Sequence, residues 1–251
     1  MKFAPDTRLD CETRPAVNFG ERASHLPIDI LLLHYTGMET GEAAIDWLCC
    51  EESGVSCHYV VMEDGAIHQL VSEVNRAWHA GQSVWQGETD TNSRSIGIEI
   101  VNPGHEGGYP DFPEPQIASV IALAADIFER HDIPARNVLG HSDVAPGRKS
   151  DPGEKFPWRR LYESGVGHWV AEQTSSQAAP LQEGDNSEAV AALQALLGVY
   201  GYGCEANGQF DVLTRHCVEA FQLHFRQSRV DGRADAQTLA TLESLLRSVP
   251  H

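Results

Sequence analysis

Long apolar runs are missing from this chain of 251 residues. No stretch approaches the roughly 20 uncharged apolar residues that a membrane-spanning helix needs. The opening residues, MKFAPDTRLDCETRPAVNFGERAS, lack the apolar core of an export signal. A cytoplasmic protein is therefore expected, with the periplasm or cell envelope as the alternative. Basic residues are scarce too: 18 Lys and Arg face 36 Asp and Glu, a net charge of −18. The acidic excess runs through both parts of the chain, which argues against nucleic acid as a partner and chiefly serves solubility. Cysteine is sparse, six in all, with no CxxC pair and with Cys49 and Cys50 adjacent. That pattern suits neither a disulfide framework nor a thiolate metal site. It reads as small buried side chains in a reducing compartment. A monomer is expected.

What is present divides near residue 175. The segment AEQTSSQAAPLQEGDNSE (171–188) is rich in Ser, Gln and Ala and poor in large apolar residues, as a linker leading into a helix start would be. The division expected is a unit over 1–170, a linker over 171–180 and a second unit over 181–251. In the first unit, IDILLLHYT (28–36) has the unbroken apolar run of a strand buried on both faces. GEAAIDWLCCE (41–51) has helical spacing at Ala44, Trp47 and Leu48. SCHYVVMEDGAIHQLV (56–71) is two strands about the turn Glu63-Asp64-Gly65. SIGIEIVN (95–102) is a further strand. EPQIASVIALAADIFERHDI (114–133) is an amphipathic helix with Ile117, Val120, Ile121, Ala124 and Phe128 on one face, and PWRRLYESG (157–165) is a short one. Strands interleaved with helices predict an α/β fold with a central mixed sheet flanked by helices. The second unit has three apolar-striped segments: 186–202 with Ser187 as N-cap, 211–225 and 235–246. They predict a small three-helix bundle.

Several polar residues stand where a buried strand or a broken loop needs a reason for them. His34 closes the apolar run of 28–36. His141 follows Leu139-Gly140, and Asp151 lies past Pro146 and Gly147, breakers that let the loop 138–156 fold back. That loop looks too broken for helix or strand. Two imidazoles and a carboxylate make a common catalytic zinc set with one position left open, although a single histidine at a strand end is as a rule a packed or surface group. Glu99 sits in SIGIEIVN on the face opposite Ile98 and Ile100. There it is either a solvent-facing charge or a buried general base. Lys149, two residues before Asp151, is either a solvated loop lysine or a cation aimed at an oxyanion.

Taken together, residues 15–165 resemble the zinc-dependent N-acetylmuramoyl-L-alanine amidases of the type 2 amidase family. The pieces that carry the resemblance are NFGERA (18–23), LLLHYTG (31–37), VSCHYVVMEDGAIHQLV (55–71), RAWHAG (76–81), NSRSIGIEIVN (92–102) and LGHSDVAPGRKSDPG (139–153), in family order. The resemblance implies one Zn2+ held by His34, His141 and Asp151, Glu99 as the catalytic acid/base and Lys149 as the group that stabilises the oxyanion. It implies cleavage of the amide between the lactyl group of N-acetylmuramic acid, or its 1,6-anhydro form, and the L-alanine of the stem peptide. His79 and Asn92 match positions near a substrate groove, and Tyr35 and Trp78 are candidates for its walls. The Gly- and Pro-rich segment 102–115 follows the Glu99 strand and should border that groove. Residues 181–246 resemble the three-helix peptidoglycan-binding domain of cell-wall hydrolases, which would hold the enzyme on its polymer. The partners expected are thus peptidoglycan or muropeptide fragments. A non-catalytic muropeptide sensor on the same fold remains the competing reading, and a missing zinc ligand would mark it. Recycling of soluble anhydro-muropeptides and work on the sacculus both stay open. Asp143 and Arg148 receive no catalytic task and are expected in local hydrogen bonds.

Overall fold

A computed structural model describes residues 3–171 and 179–249; most of the linker expected over 171–180 falls outside them. Its strands are β1 (Cys11–Thr13), β2 (Phe19–Glu21), β3 (Ile30–Tyr35), β4 (Tyr59–Val61), β5 (Ile67–Gln69), β6 (Asn75–Ala77), β7 (Ser95–Ile100) and β8 (Val138–Gly140). Six of them form one mixed sheet in the order β1-β5-β4-β7-β3-β8. All neighbours run parallel except β4 and β5, the expected hairpin. A separate antiparallel ribbon pairs β2 with β6. Two strands expected from their apolar runs, β3 and β7, are the long central ones. Ile30 to Leu33 are wholly buried because both faces of the sheet are covered.

The helices are α1 (Gly41–Cys49), α2 (Thr91–Arg94), α3 (Glu114–Phe128), α4 (His141–Val144), α5 (Trp158–Glu163), α6 (Glu188–Tyr200), α7 (Val212–Phe225) and α8 (Ala236–Ser248). Among the described residues no helix is long and apolar enough to cross a membrane. Helix α3 covers one face of the sheet, packing Ile117, Val120 and Ile127 on Leu31, Leu33 and Ile98. It stops at Phe128 rather than running to 133, because Arg130 and His131 turn away to bond Glu73 at 2.7 and 2.8 Å. Helix α1 buries Ala44, Ile45 and Leu48 but leaves Trp47 exposed, against the inward face expected for that tryptophan. The segment 138–156 is not wholly irregular either: it contains β8 and the single turn α4.

Helices α6, α7 and α8 form the expected bundle. Each starts on a side-chain cap, Ser187, Asp211 or Asp235, that accepts from the amide three residues on, which satisfies an otherwise orphaned N–H. The bundle is not an isolated bead. Its Leu197, Tyr200, Tyr202 and Phe225 share one apolar core with Ile30, Leu32, Trp85 and Val144 of the α/β unit. Trp85 is fully buried there, edge-on to Tyr202 and Tyr200 at 5.3 and 6.2 Å between ring centres.

Candidate active site

Strand register brings the candidate ligands together. Leu33 of β3 lies opposite Gly140 of β8, so His34 and His141 emerge side by side at the carboxyl ends of adjacent parallel strands, where α/β sheets commonly carry their sites. The loop after α4 folds back, and the Asp151 carbonyl accepts from Ser142 N at 3.0 Å. Asp151 Oδ2 then lies 3.1 Å from both His34 Nδ1 and His141 Nδ1, which are 3.0 Å apart. All three side chains are buried.

The surrounding hydrogen bonds assign the imidazole protons. Burial, then the neighbouring His141, lowers the His34 pKa to about 4, so this ring is neutral and carries a single proton. Ser95 Oγ spends its hydrogen on Thr91 O at 2.7 Å and therefore accepts from His79 Nε2 at 3.3 Å. That leaves His79 Nδ1 as the acceptor of His34 Nε2–H at 3.0 Å. The lone pair of His34 is consequently on Nδ1, facing Asp151. His141 donates through Nε2 to Ala80 O at 3.0 Å, so its lone pair is on Nδ1 as well. Asp151 Oδ2 faces both of these lone pairs. Three electron pairs thus converge with no hydrogen between them, a donor set that a metal cation satisfies.

Glu99 of β7 is in register with His34, so both side chains leave the same face of the sheet. Its Oε2 is buried without a hydrogen-bond partner. Burial, and secondarily Asp151, push its carboxyl well above the usual range, with Lys149 pulling the other way. Two residues earlier, Gly97 leaves room for the His79 ring, since a Cβ there would lie 2.6 Å from His79 Nδ1. His34, Glu99, His141, Lys149 and Asp151 all line a single cavity of about 430 Å3. The five residues expected to do chemistry are therefore gathered in one place.

The other candidates are distributed differently. Tyr35 borders the cavity and its hydroxyl lies 3.0 Å from His105 Nδ1. His79 also lines the cavity, its buried ring against His34, and Asn92 is buried further back, its Oδ1 accepting from His79 N and Ala80 N at 3.1 and 2.9 Å. Asn92 thus holds up the segment that supports both histidines rather than lining the groove. Trp78 packs near Gly20 on the β2–β6 ribbon and is not part of the cavity wall. Trp47, which shares the helical spacing of Ala44 and Leu48, is part of that wall with them. Segment 102–115 borders the groove through Glu106; His105 contacts Glu154 at 2.9 Å and Tyr109 donates to Pro152 O at 2.7 Å. Arg148 bonds beyond its own loop, donating to Ala80 O at 2.5 Å and Gln82 O at 2.6 Å. Asp143 makes the expected local bond, accepting from Gly140 N at 2.8 Å, and also accepts from Tyr202 OH and His224 Nδ1 of the helical bundle at 2.6 and 2.7 Å.

Comparison with known proteins agrees with this geometry. The family model for N-acetylmuramoyl-L-alanine amidase matches residues 24–154, and that for a putative peptidoglycan binding domain matches residues 186–242. The chain is 36% identical over 237 residues to the N-acetylmuramoyl-L-alanine amidase AmiD of Escherichia coli, which spans 90% of this chain and 84% of AmiD. A structure of AmiD in complex with anhydro-N-acetylmuramic acid-L-Ala-D-gamma-Glu-L-Lys superposes with a TM-score of 0.76 over 92% of this chain and 97% of that one. AmpDh3 of Pseudomonas aeruginosa, 31% identical, superposes with a TM-score of 0.75 over the whole of both chains. Likeness of this extent, in sequence and in fold, means that the chain belongs to the N-acetylmuramoyl-L-alanine amidase family.

Proposed function

We propose that His34, His141 and Asp151 hold one Zn2+ and that Glu99 and Lys149 complete the machinery of this amidase. The family reaction is hydrolysis of the amide between N-acetylmuramic acid and the L-alanine of the stem peptide. The observation that carries the proposal is the convergence of two imidazole lone pairs and a carboxylate oxygen within 3.1 Å beside a buried, unpartnered carboxyl at Glu99. Two nitrogens and one oxygen with a position to spare suit zinc in a hydrolase. When bound, the ion supplies a Lewis acid and makes hydroxide available near neutral pH.

The protein groups then have separate tasks. Glu99 takes the proton of the attacking water and returns it to the leaving amine of L-alanine. Its raised pKa suits the second step, since a carboxyl that holds its proton is also a usable acid. Lys149, whose ammonium has no ion-pair partner among the described residues, meets the negative charge that develops on the lactyl carbonyl oxygen. Tyr35 and Trp47 offer apolar walls for the sugar and its lactyl arm. Residues 1–170 would act as the catalytic unit. The helices within 181–251 would hold it on peptidoglycan or larger fragments by raising local concentration. A monomer is part of this reading, tested by its size in solution, and six unpaired thiols favour a reducing compartment such as the cytoplasm, a point that cell fractionation tests.

The test is zinc content together with digestion of a defined muropeptide. One zinc per chain and release of free stem peptide are expected. A zinc-loaded chain that leaves the amide intact would instead make the protein a muropeptide sensor. Running soluble anhydro-muropeptide beside intact sacculi assigns the preferred substrate size.

A further inference from the structure

The candidate ligands His141 and Asp151, and Lys149 with them, hang on one loop between β8 and α5. The α/β unit holds that loop from one side, through Arg148 on Ala80 O and Val84 N on Val144 O. The other side is held by the helical bundle, at three places that bracket the ligands. Asp143, wholly buried, caps the start of α4 by accepting from Gly140 N at 2.8 Å and also accepts from Tyr202 OH and His224 Nδ1. At Gly147, with φ +73°, the His216 ring lies so close that a Cβ would sit 2.0 Å from its Nδ1. Beyond Asp151, Gln227 Nε2 donates to Glu154 O and Phe156 O at 2.6 and 2.7 Å. The His224 ring is itself stacked on Trp158 at 3.7 Å.

A carboxylate with no exposure is tolerated only when its oxygens are satisfied. One backbone N–H does not do that for Asp143; the two donors from the bundle do. Without them Asp143 would turn toward water, and the single turn α4, which begins at His141, would turn with it. We propose that the C-terminal helices are a positioning element of the metal site: Tyr202 and His224, acting through Asp143, fix the backbone turn from which His141 reaches the ion. This second task of the bundle is separate from any hold on peptidoglycan, and it rests on the zinc reading of His141 given above. Residues that orient ligands from behind typically change metal affinity by about 10- to 100-fold when removed.

The experiment uses the full chain with Tyr202→Phe, which removes only the hydroxyl, His224→Phe, which keeps a flat aromatic ring of larger size without the N–H donor, and the pair. Zinc affinity is read by competition with a chromophoric chelator. Amide hydrogen exchange of residues 140–151 is read in the metal-free protein, with residues 30–35 as internal reference. The pair should bind zinc about 10- to 100-fold more weakly and exchange faster over 140–151 while the reference strand is unchanged. Should the pair not fold, Tyr202→Phe alone, one oxygen removed from an otherwise identical ring, must show the same two changes in smaller size. Folded variants with parental zinc affinity and parental exchange over 140–151 overturn the proposal and leave these contacts as adhesion between two units. A parent chain that binds no zinc refutes the zinc reading instead, and exchange in the metal-free protein still decides whether the bundle holds the loop.

Discussion

Glu99→Gln exchanges one oxygen for an amide nitrogen at a position where β7 carries the side chain into the groove beside His34. The loss to catalysis follows from chemistry: an amide cannot take a proton from water, and a placed acid/base is worth about 10²- to 10⁴-fold in rate, or about 3 to 5 kcal/mol. The effect on stability has the opposite sign. Glu99 Oε2 is buried without a partner, and burial, then Asp151, raise the folded-state pKa well above the ordinary 4.5 of a free glutamate. A carboxyl whose pKa is raised on folding holds more protons in the native state than in the unfolded one over the intervening pH range. Stability of the metal-free protein therefore falls as pH rises above about 4.5, until the folded pKa is passed. Stranding a charged group unpaired costs on the order of 1–3 kcal/mol, and a chain of this size shifts its Tm by about 2–4 °C per kcal/mol. With chelator present, the glutamine variant should melt about 2–12 °C above the parent at pH 8, with the gap closing toward pH 4. Thermal unfolding by circular dichroism at the two pH values, and chromatographic assay of muropeptide cleavage with zinc, measure both halves. A variant that melts at or below the parent at pH 8 refutes the strained carboxyl, and near-parental turnover removes Glu99 from the chemistry.

The relay behind His34 makes a second prediction. His79→Ala should weaken zinc binding by about 10- to 100-fold in chelator competition, and Ser95→Ala by less, because the Nε2–H of His34 loses its fixed acceptor; equal affinities would contradict the proton assignment. Trp47→Ala removes an exposed groove wall and should raise KM by about fivefold, roughly 1 kcal/mol, at nearly constant kcat; a fall in kcat alone would place Trp47 elsewhere in the cycle. Glu73 offers a test of acid stability far from the groove. Burial raises its carboxyl, but bonds from His131, Arg130 and Tyr59 outweigh that and leave it at about 2 against the ordinary 4.5 of a free glutamate. Its contribution is present above pH 4.5 and is lost as pH falls toward about 2, about 3 kcal/mol in all. Urea unfolding of Glu73→Gln should show that loss at pH 7 and a flatter curve between pH 5 and 2, and a slope equal to the parent's would discount the network.

Which parts of this architecture can be read from the chain depends on how far each signal reaches. His34 is legible because it ends four consecutive buried apolar residues, and Glu99 because it interrupts an apolar strand; both signals are local. Gly97 carries a local signal as well: a glycine inside a strand marks a close approach, and the approach is that of His79. Trp47 misled because one turn of helix places it near the inward face while the groove opens just there. The turn α4 and strand β8 are too short for periodicity to register.

Asp143 lies beyond any such reading, since its partners are 59 and 81 residues away and nothing in their spacing announces the meeting. Yet the size of the second unit contains the reason for it. A bundle of three short helices is near the lower limit at which a chain buries enough apolar surface to fold alone, and its inner residues continue into Trp85, Ile30 and Leu32 of the sheet. The surface that makes up this deficit is the face of the sheet from which His34 emerges. Joining there sets α7 against the loop that follows β8, so polar groups of the bundle must find partners among that loop's atoms or stay unsatisfied. Asp143 is where they find one, two residues from a candidate ligand, and so folding of the bundle and shaping of the metal site proceed through the same contacts.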